Sequence, residues 1–164
     1  MQAAPDLPHE TERLATVHEL NVLDTPPEPR FNELVELAAF IAHTPIAAMT
    51  LIDDDRQWFK ASIGLEISGS GRDISFCGHT IAEPRTLVVP DTLHDDRFSD
   101  NPFVAQSPHV RFYAGVPLAV DDHLVGTLCV LDTRPRTFLS DERRALEILG
   151  RQVEAQLQLR RAGN

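Results

Sequence analysis

Apolar positions along this chain recur with two spacings, about 3.6 residues in some segments and two in others, the periods of helix and strand. From Glu10 onward, Leu14, Val17 and Leu20 follow the helical period, which predicts a first helix with Thr11 as its N-cap. Pro26, Pro27 and Pro29 end that pattern. A second helix is predicted from about Arg30 to His43, with Phe31, Leu34, Val35, Ala38, Ile41 and Ala42 on one face. Two strands follow, Ile46–Ile52 and Arg56–Ile63, joined by a turn of three aspartates, Asp53 to Asp55. The glycine- and serine-rich segment from Gly64 to Asp73 reads as a flexible loop. Beyond it come a short helix over Ser75–Ala82 with Ser75 as N-cap, a short strand over Thr86–Pro90, and another short helix opened by Ser99-Asp100-Asn101-Pro102.

The segment Val110–Asp132 is different, because both of its parities are apolar. Phe112, Val116, Leu118 and Val120 alternate with Tyr113 and Ala119, and Leu124, Leu128 and Val130 alternate with Val125, Cys129 and Leu131. With Asp121-Asp122-His123 between the runs, it predicts a hairpin in the middle of a sheet covered on both faces. A last, long helix starts at Ser140 and ends near Arg160-Arg161. Its apolar stripe Leu146, Leu149, Val153 and Leu157 is a candidate dimer interface, with packing against the sheet as the alternative. Hairpin strands with helices gathered at the chain ends indicate an α+β fold with an antiparallel sheet of five to six strands. The terminal helices would cover one face, and the loops and short helices of residues 64–109 the other. The expected organisation is a flexible N-terminus over residues 1–9, one domain over 10–160, and a tail over 161–164.

At 164 residues, with 42% hydrophobic and 24% charged residues, the chain is long enough for one domain with its own core. A formal net charge of −10, with no compensating basic cluster, argues against nucleic acid or an anionic membrane as partner. The two cysteines, Cys77 and Cys129, suggest no disulfide framework. With neither a signal peptide nor an apolar run of membrane-spanning length, the cytoplasm is the expected compartment. The three aspartates lack the alternation and distal Glu of a calcium loop. The glycines do not join a strand to a long helix as a phosphate-binding loop would. No His, Cys and carboxylate set has metal-site spacing, so no metal is expected.

Taken together, SFCGHTI, VVPD, LHDDRFSDNPFV, VRFYAGVPL, GTLCVLD and the final helix resemble a bacterial GAF domain, of the kind that precedes sensor histidine kinases and diguanylate cyclases. The resemblance covers about Glu10 to Arg160. It implies a small-molecule pocket on the sheet face opposite the terminal helices, homodimers formed through those helices, and a kinase or cyclase output domain in the same chain or another. The cyclic-nucleotide signature of some GAF domains has no counterpart here. Ser107-Pro108-His109 only partly echoes a bilin-binding stretch and has no cysteine beside it, so a covalent bilin is not expected.

What the resemblance leads one to expect is a non-catalytic sensor, its ligand and any cofactor unknown. The candidate ligand-binding residues are Phe76, Cys77, His79, Asp91, Arg97, Phe98, Phe103, Phe112, Tyr113, Thr127 and Cys129, with Arg111 beside Arg97 as a second cation for an anionic ligand. Loop-internal capping and ion pairing is the alternative for Asp91, Asp95, Asp96 and Arg97. A second hypothesis is a cysteine enzyme of the free methionine sulfoxide reductase type, with Cys77 reactive and His79 as base. Against it, Cys77 also reads as a small apolar filler, Cys129 as packing, and the stretch SPHVRFYAG lacks the nucleophilic cysteine of those enzymes. A third is a dimerising module whose own aromatics fill its cavity.

Overall fold

The computed structural model describes residues 1–163. Helix α1 spans Glu10–Glu19 and α2 spans Pro29–Ala42. Strands β1 (Ile46–Ile52), β2 (Arg56–Ile63) and β3 (Gly69–Gly71) come next, followed by α3 (Phe76–Thr80), β4 (Leu87–Val89) and α4 (Pro102–Ala105). Strands β5 (Phe112–Val120) and β6 (His123–Asp132) form the long hairpin, and α5 closes the chain at Ser140–Gly163. Asn164, the end of the expected tail, lies outside the described residues.

The six strands form one antiparallel sheet in the order β3-β2-β1-β6-β5-β4. The β5–β6 hairpin therefore lies within the sheet, as its two-sided apolar pattern predicts. Asp121 and Asp122 both have positive φ, the geometry of a two-residue turn matched to the twist of its strands. On one face, α1, α2 and α5 bury Val17, Phe31, Val35, Leu146, Leu149, Val153 and Leu157 against Met49, Leu51, Phe112, Val116, Leu118 and Leu128. On the other face, Phe76, Ile81, Phe98, Val104 and Val110 cover Ala48, Tyr113, Cys129 and Leu131.

Several expectations are corrected. The α5 stripe is core, because the helix lies along β5 and turns that face inward; Gly150 admits Val116, whose Cγ1 would lie 2.9 Å from any added Cβ. The exposed apolar residues of the helical layer are Leu37 and Phe40 on α2 and Ile148 and Leu159 on α5. Thr11 lies inside α1, whose N-cap is His9 with no side-chain cap, while the Glu10 carboxylate holds Arg13 and Arg72. The Gly64–Asp73 loop contains β3, a three-residue strand of glycine and serine with no apolar alternation, which pairs with β2 and adds a hydrogen bond from Gln57 Nε2 to Ser70 Oγ at 2.9 Å. Residues 1–9 are not loose along their whole length: Ala4 N donates to Asp73 O at 3.1 Å and Gln2 N to Arg97 O at 3.3 Å.

Two bulges also move residues between faces. The β5–β6 register passes from Leu118–Gly126 to Ala119–Leu124 and skips Val125, so Val125 joins the helical side and Leu124 the opposite side. The β1–β2 register passes from Met49–Ala61 to Thr50–Phe59 and skips Lys60. That bulge delivers the buried Lys60 ammonium to the helical side, where it meets Glu28 at 2.6 Å and donates to Pro26 O at 2.5 Å and Thr25 Oγ1 at 2.8 Å.

Candidate functional site

Between the sheet and α3 lies an apolar cavity of about 40 Å³. A water needs about 10–15 Å³ on this measure, so the space holds two or three water-sized molecules. Its floor is the β1–β6–β5 surface, through Ala48, Thr50, Cys129, Leu131 and Tyr113. Phe76 and Cys77 of α3 form one wall, and Gln57 and Phe59 of β2 another. Exposed Ile67 and half-buried Leu65 and Phe103 mark its outer side.

Local sequence explains how Cys77 is presented. Ser75 caps α3 by accepting from Gly78 N at 2.9 Å, and its own hydroxyl donates to Arg72 O at 2.7 Å. This short helix thereby turns Phe76 and Cys77 onto the sheet. Phe76 stacks on Tyr113 with ring centres 5.1 Å apart, and Phe98 backs it at 4.6 Å. Behind the apolar lining runs a buried polar chain. Thr127 Oγ1 donates to Cys77 Sγ at 2.9 Å and lies 3.0 Å from Thr50 Oγ1. Tyr113 Oη lies 3.4 Å from Cys77 Sγ and 2.7 Å from Thr80 Oγ1, and Cys129 Sγ is 3.9 Å from Cys77 Sγ.

This arrangement divides the titration of the two thiols. Burial opposes a Cys77 thiolate, but hydrogen bonding from Cys129, Thr127 and Tyr113 outweighs it and brings the thiol down to about 7. Cys129 moves the other way, held up by its hydrogen bond to Cys77 and by burial. Burial and the charge on Cys77 likewise raise Tyr113. The arrangement thus favours ionisation of Cys77 over Cys129.

Of the residues singled out in the sequence, Phe76, Cys77, Phe103, Tyr113 and Cys129 line the cavity, and Thr127 and Phe98 support it from behind. The others lie elsewhere. Phe112 has the opposite strand parity and packs against Phe138 on the helical side. His79 sets its ring edge on Phe98 and its Nε2 3.1 Å from Gln2 O rather than against Cys77, and burial lowers its pKa. Asp91 caps the turn over Thr92–His94 and lies 2.8 Å from His94 Nδ1. Arg97 is held by Asp95 at 3.0 and 2.7 Å, and Arg111 donates to Val104 O and Val110 O. The polar loop cluster is thus occupied with capping and ion pairing. Among the described residues, no group of three or more His, Cys, Asp and Glu is placed to hold a metal ion.

Ala48, Thr50, Gln57 and Phe59 were not anticipated in the site. The signal for Thr50 was available: it is the polar position of an otherwise apolar strand, and it pairs directly across from Thr127.

This architecture, an antiparallel sheet with helices on one face and a loop-walled cavity on the other, has a family counterpart. The GAF domain profile matches residues 26–157. The chain belongs to the GAF domain family. A cyclic di-GMP phosphodiesterase of Pseudomonas aeruginosa is 41% identical to this GAF domain over 165 residues, covering 99% of the chain and 28% of that relative. The chain thus corresponds to 28% of the length of the curated relative it matches. Among solved structures, the GAF domain of an Acinetobacter phosphoenolpyruvate-protein phosphotransferase superposes with TM-score 0.71 at 18% identity, covering 94% of this chain and 96% of that one. The free methionine-R-sulfoxide reductase of Neisseria meningitidis, solved with its substrate, gives 0.67 at 21% identity, with 94% and 91% covered. At these identities the likeness is one of fold. No described helix is long and apolar enough to cross a membrane.

Proposed function

We propose that this GAF domain is a non-catalytic sensory module that regulates a cyclic di-GMP output activity. The observation that carries the reading is its 41% identity to a cyclic di-GMP phosphodiesterase across 99% of the chain, while spanning only 28% of that relative. The cavity supports a binding role over hydrolysis, since no carboxylate or imidazole lines it among the described residues and hydrolysis needs a positioned acid or base. Its thiols, hydroxyls and one amide among apolar walls suit a small, uncharged and mostly apolar ligand. At about 40 Å³ the cavity has to open before it admits anything much larger than water. Ile67, Leu65 and Phe103 are the residues to move. Homodimers would use the exposed apolar residues of α2 and α5, Phe40 foremost at 73% exposed.

A ligand screen by thermal shift and native mass spectrometry tests the sensor reading, with amino acids, methionine sulfoxide, small organic acids, cyclic nucleotides and tetrapyrroles as probes. The expected result is a raised Tm with a small uncharged compound and no turnover of methionine sulfoxide. Sulfoxide reduction would make the protein an enzyme, and a Tm unmoved by every probe would leave a dimerising spacer. For the dimer, Phe40→Lys should give a monomer by light scattering; a persisting dimer would place the interface elsewhere.

A further inference from the structure

The two cysteines are 52 residues apart in sequence, yet their sulfurs lie 3.9 Å apart, both buried and both on the wall of the same cavity. A sensory cavity needs no such pair. Small apolar side chains would fill either position, as free cysteine often does. Here the sulfurs instead meet each other, and Cys77 Sγ also meets Thr127 Oγ1 and Tyr113 Oη.

We propose that Cys77 and Cys129 are a reversible oxidation site, at which hydrogen peroxide entering the cavity converts the two thiols to a disulfide between α3 and β6. Three observations meet in this assignment. The cavity accepts a molecule of peroxide size and brings it against both sulfurs. The sulfurs are in contact, so closing from 3.9 Å to the bonded distance of about 2.05 Å asks for side-chain rotation and a small approach of α3 to the sheet. The donors around Cys77, which favour its thiolate, make it the attacking sulfur and leave Cys129 to resolve.

The steps balance as follows. The Cys77 sulfur attacks one peroxide oxygen, an S–O bond forms, and the O–O bond breaks. The departing hydroxide takes up the proton released by the Cys77 thiol and leaves as water. Cys77 is then a sulfenic acid. The Cys129 sulfur attacks the Cys77 sulfur, an S–S bond forms, and the S–O bond breaks. The hydroxyl leaves as a second water with the Cys129 proton. Two electrons have passed from the thiols to one peroxide, and an external dithiol restores both by exchange. The contact between the sulfurs lets Cys129 intercept the sulfenic acid before a second peroxide carries it further. This chemistry needs only the cavity and the two thiols, and it stands apart from the identity of any ligand.

The test uses the full chain, reduced and freed of reductant without air. Hydrogen peroxide is added in increasing amounts, the mixture is quenched in acid, and thiols are counted after alkylation under denaturing conditions. The expected result is complete loss of both thiols at about one peroxide per chain, a Cys77–Cys129 cross-link within one chain by peptide mapping, and full recovery with dithiothreitol. Cys129→Ala should stop at a Cys77 sulfenic acid that dimedone traps, and Cys77→Ala should leave Cys129 titratable at the same dose. The wild-type measurement decides the matter even if a variant fails to fold. Two thiols surviving a large excess of peroxide would overturn the proposal. So would cross-links formed only between chains, or oxidation past the sulfenic acid with no disulfide.

Discussion

Glu10→Gln isolates one charge at the junction of α1, the β1–β2 turn and β6. Its carboxylate receives Arg13 Nε and Nη2, both at 2.9 Å, and Arg72 Nη1 at 2.5 Å. Both arginines are buried and also serve the backbone: Arg13 donates to Ile52 O at 2.8 Å and Arg72 to Asp53 O at 3.1 Å. Burial works against the ionised carboxyl, but the hydrogen bonds from Arg13 and Arg72 prevail and lower its pKa from 4.5 to about 2. Taken alone, that displacement corresponds to about 3 kcal/mol. The carboxylate side chain is 27% exposed, so solvent screening reduces the expected contribution to about 1.5–2 kcal/mol. The folded pKa lies below the unfolded one, so the contribution is complete above about pH 4.5 and disappears as pH falls towards 2. The gap between wild type and Glu10→Gln, measured by urea unfolding with Trp58 fluorescence, should therefore be largest at pH 7. It should fall to less than half by about pH 3 and close near pH 2. A gap that stays constant across this range would assign the effect to packing, and no gap at pH 7 would mean that the ion pairs contribute nothing.

Gly126→Ala would set a Cβ 1.9 Å from Thr50 O, a backbone atom of a central strand that cannot move aside; a loss of about 3 kcal/mol or more is expected from denaturant unfolding. Thr127→Val keeps the shape but removes the donor to Cys77, so the pH profile of Cys77 alkylation should move upward at a stability cost of about 1 kcal/mol; an unmoved profile would remove Thr127 from the thiol's environment. Glu28→Gln weakens the partner of the buried Lys60 and should destabilise by about 2 kcal/mol at pH 7. Burial opposes the Glu28 carboxylate, but Lys60 and Arg160 hold its pKa below the usual carboxylate range, so this difference should be present at neutral pH and fade under acid, as differential scanning calorimetry at the two pH values would register.

Wherever a long segment kept one period, its element was legible. The β5–β6 hairpin, β1, α2 and α5 follow directly from alternation or helical spacing, and the two-sided apolar pattern placed the hairpin inside the sheet. Three kinds of information were hidden. A three-residue edge strand of glycine and serine has no apolar alternation to read, which concealed β3. Bulges break the parity rule, so Val125 and Leu124 exchanged faces and Lys60 reached the helical side. A stripe such as Leu149 and Val153 has the same spacing whether it meets a sheet or a second chain, and only the packing decides. At the site, the polar cluster around Asp95 and Arg97 drew attention through its chemistry but is satisfied within its own loop. The cavity is instead apolar, and of the half of its lining that comes from strands, Ala48, Phe59 and Leu131 carry no chemical signal in the sequence.

The bulge at Lys60 also bears on how the two faces of the sheet communicate. Phe59 lines the cavity, and the next residue, Lys60, emerges on the helical face. There Lys60 meets Glu28 at 2.6 Å, and Glu28 accepts from Arg160 Nε at 2.8 Å near the end of α5. Arg160 also donates to Leu20 O and Asn21 O just beyond α1, so the ends of both terminal helices share this junction. A bulge is where a strand has given up regular ladder pairing and bends. A ligand that displaced Phe59 would act on β2 directly at this bulge. Buried charge amplifies the consequence, because a displacement that costs little in apolar contact costs much more when it separates an ammonium from its carboxylate. A signal from the cavity to the helices would need no long chain of contacts. Its route would be the Phe59–Lys60 peptide unit and the ion pairs of Glu28 with Lys60 and Arg160.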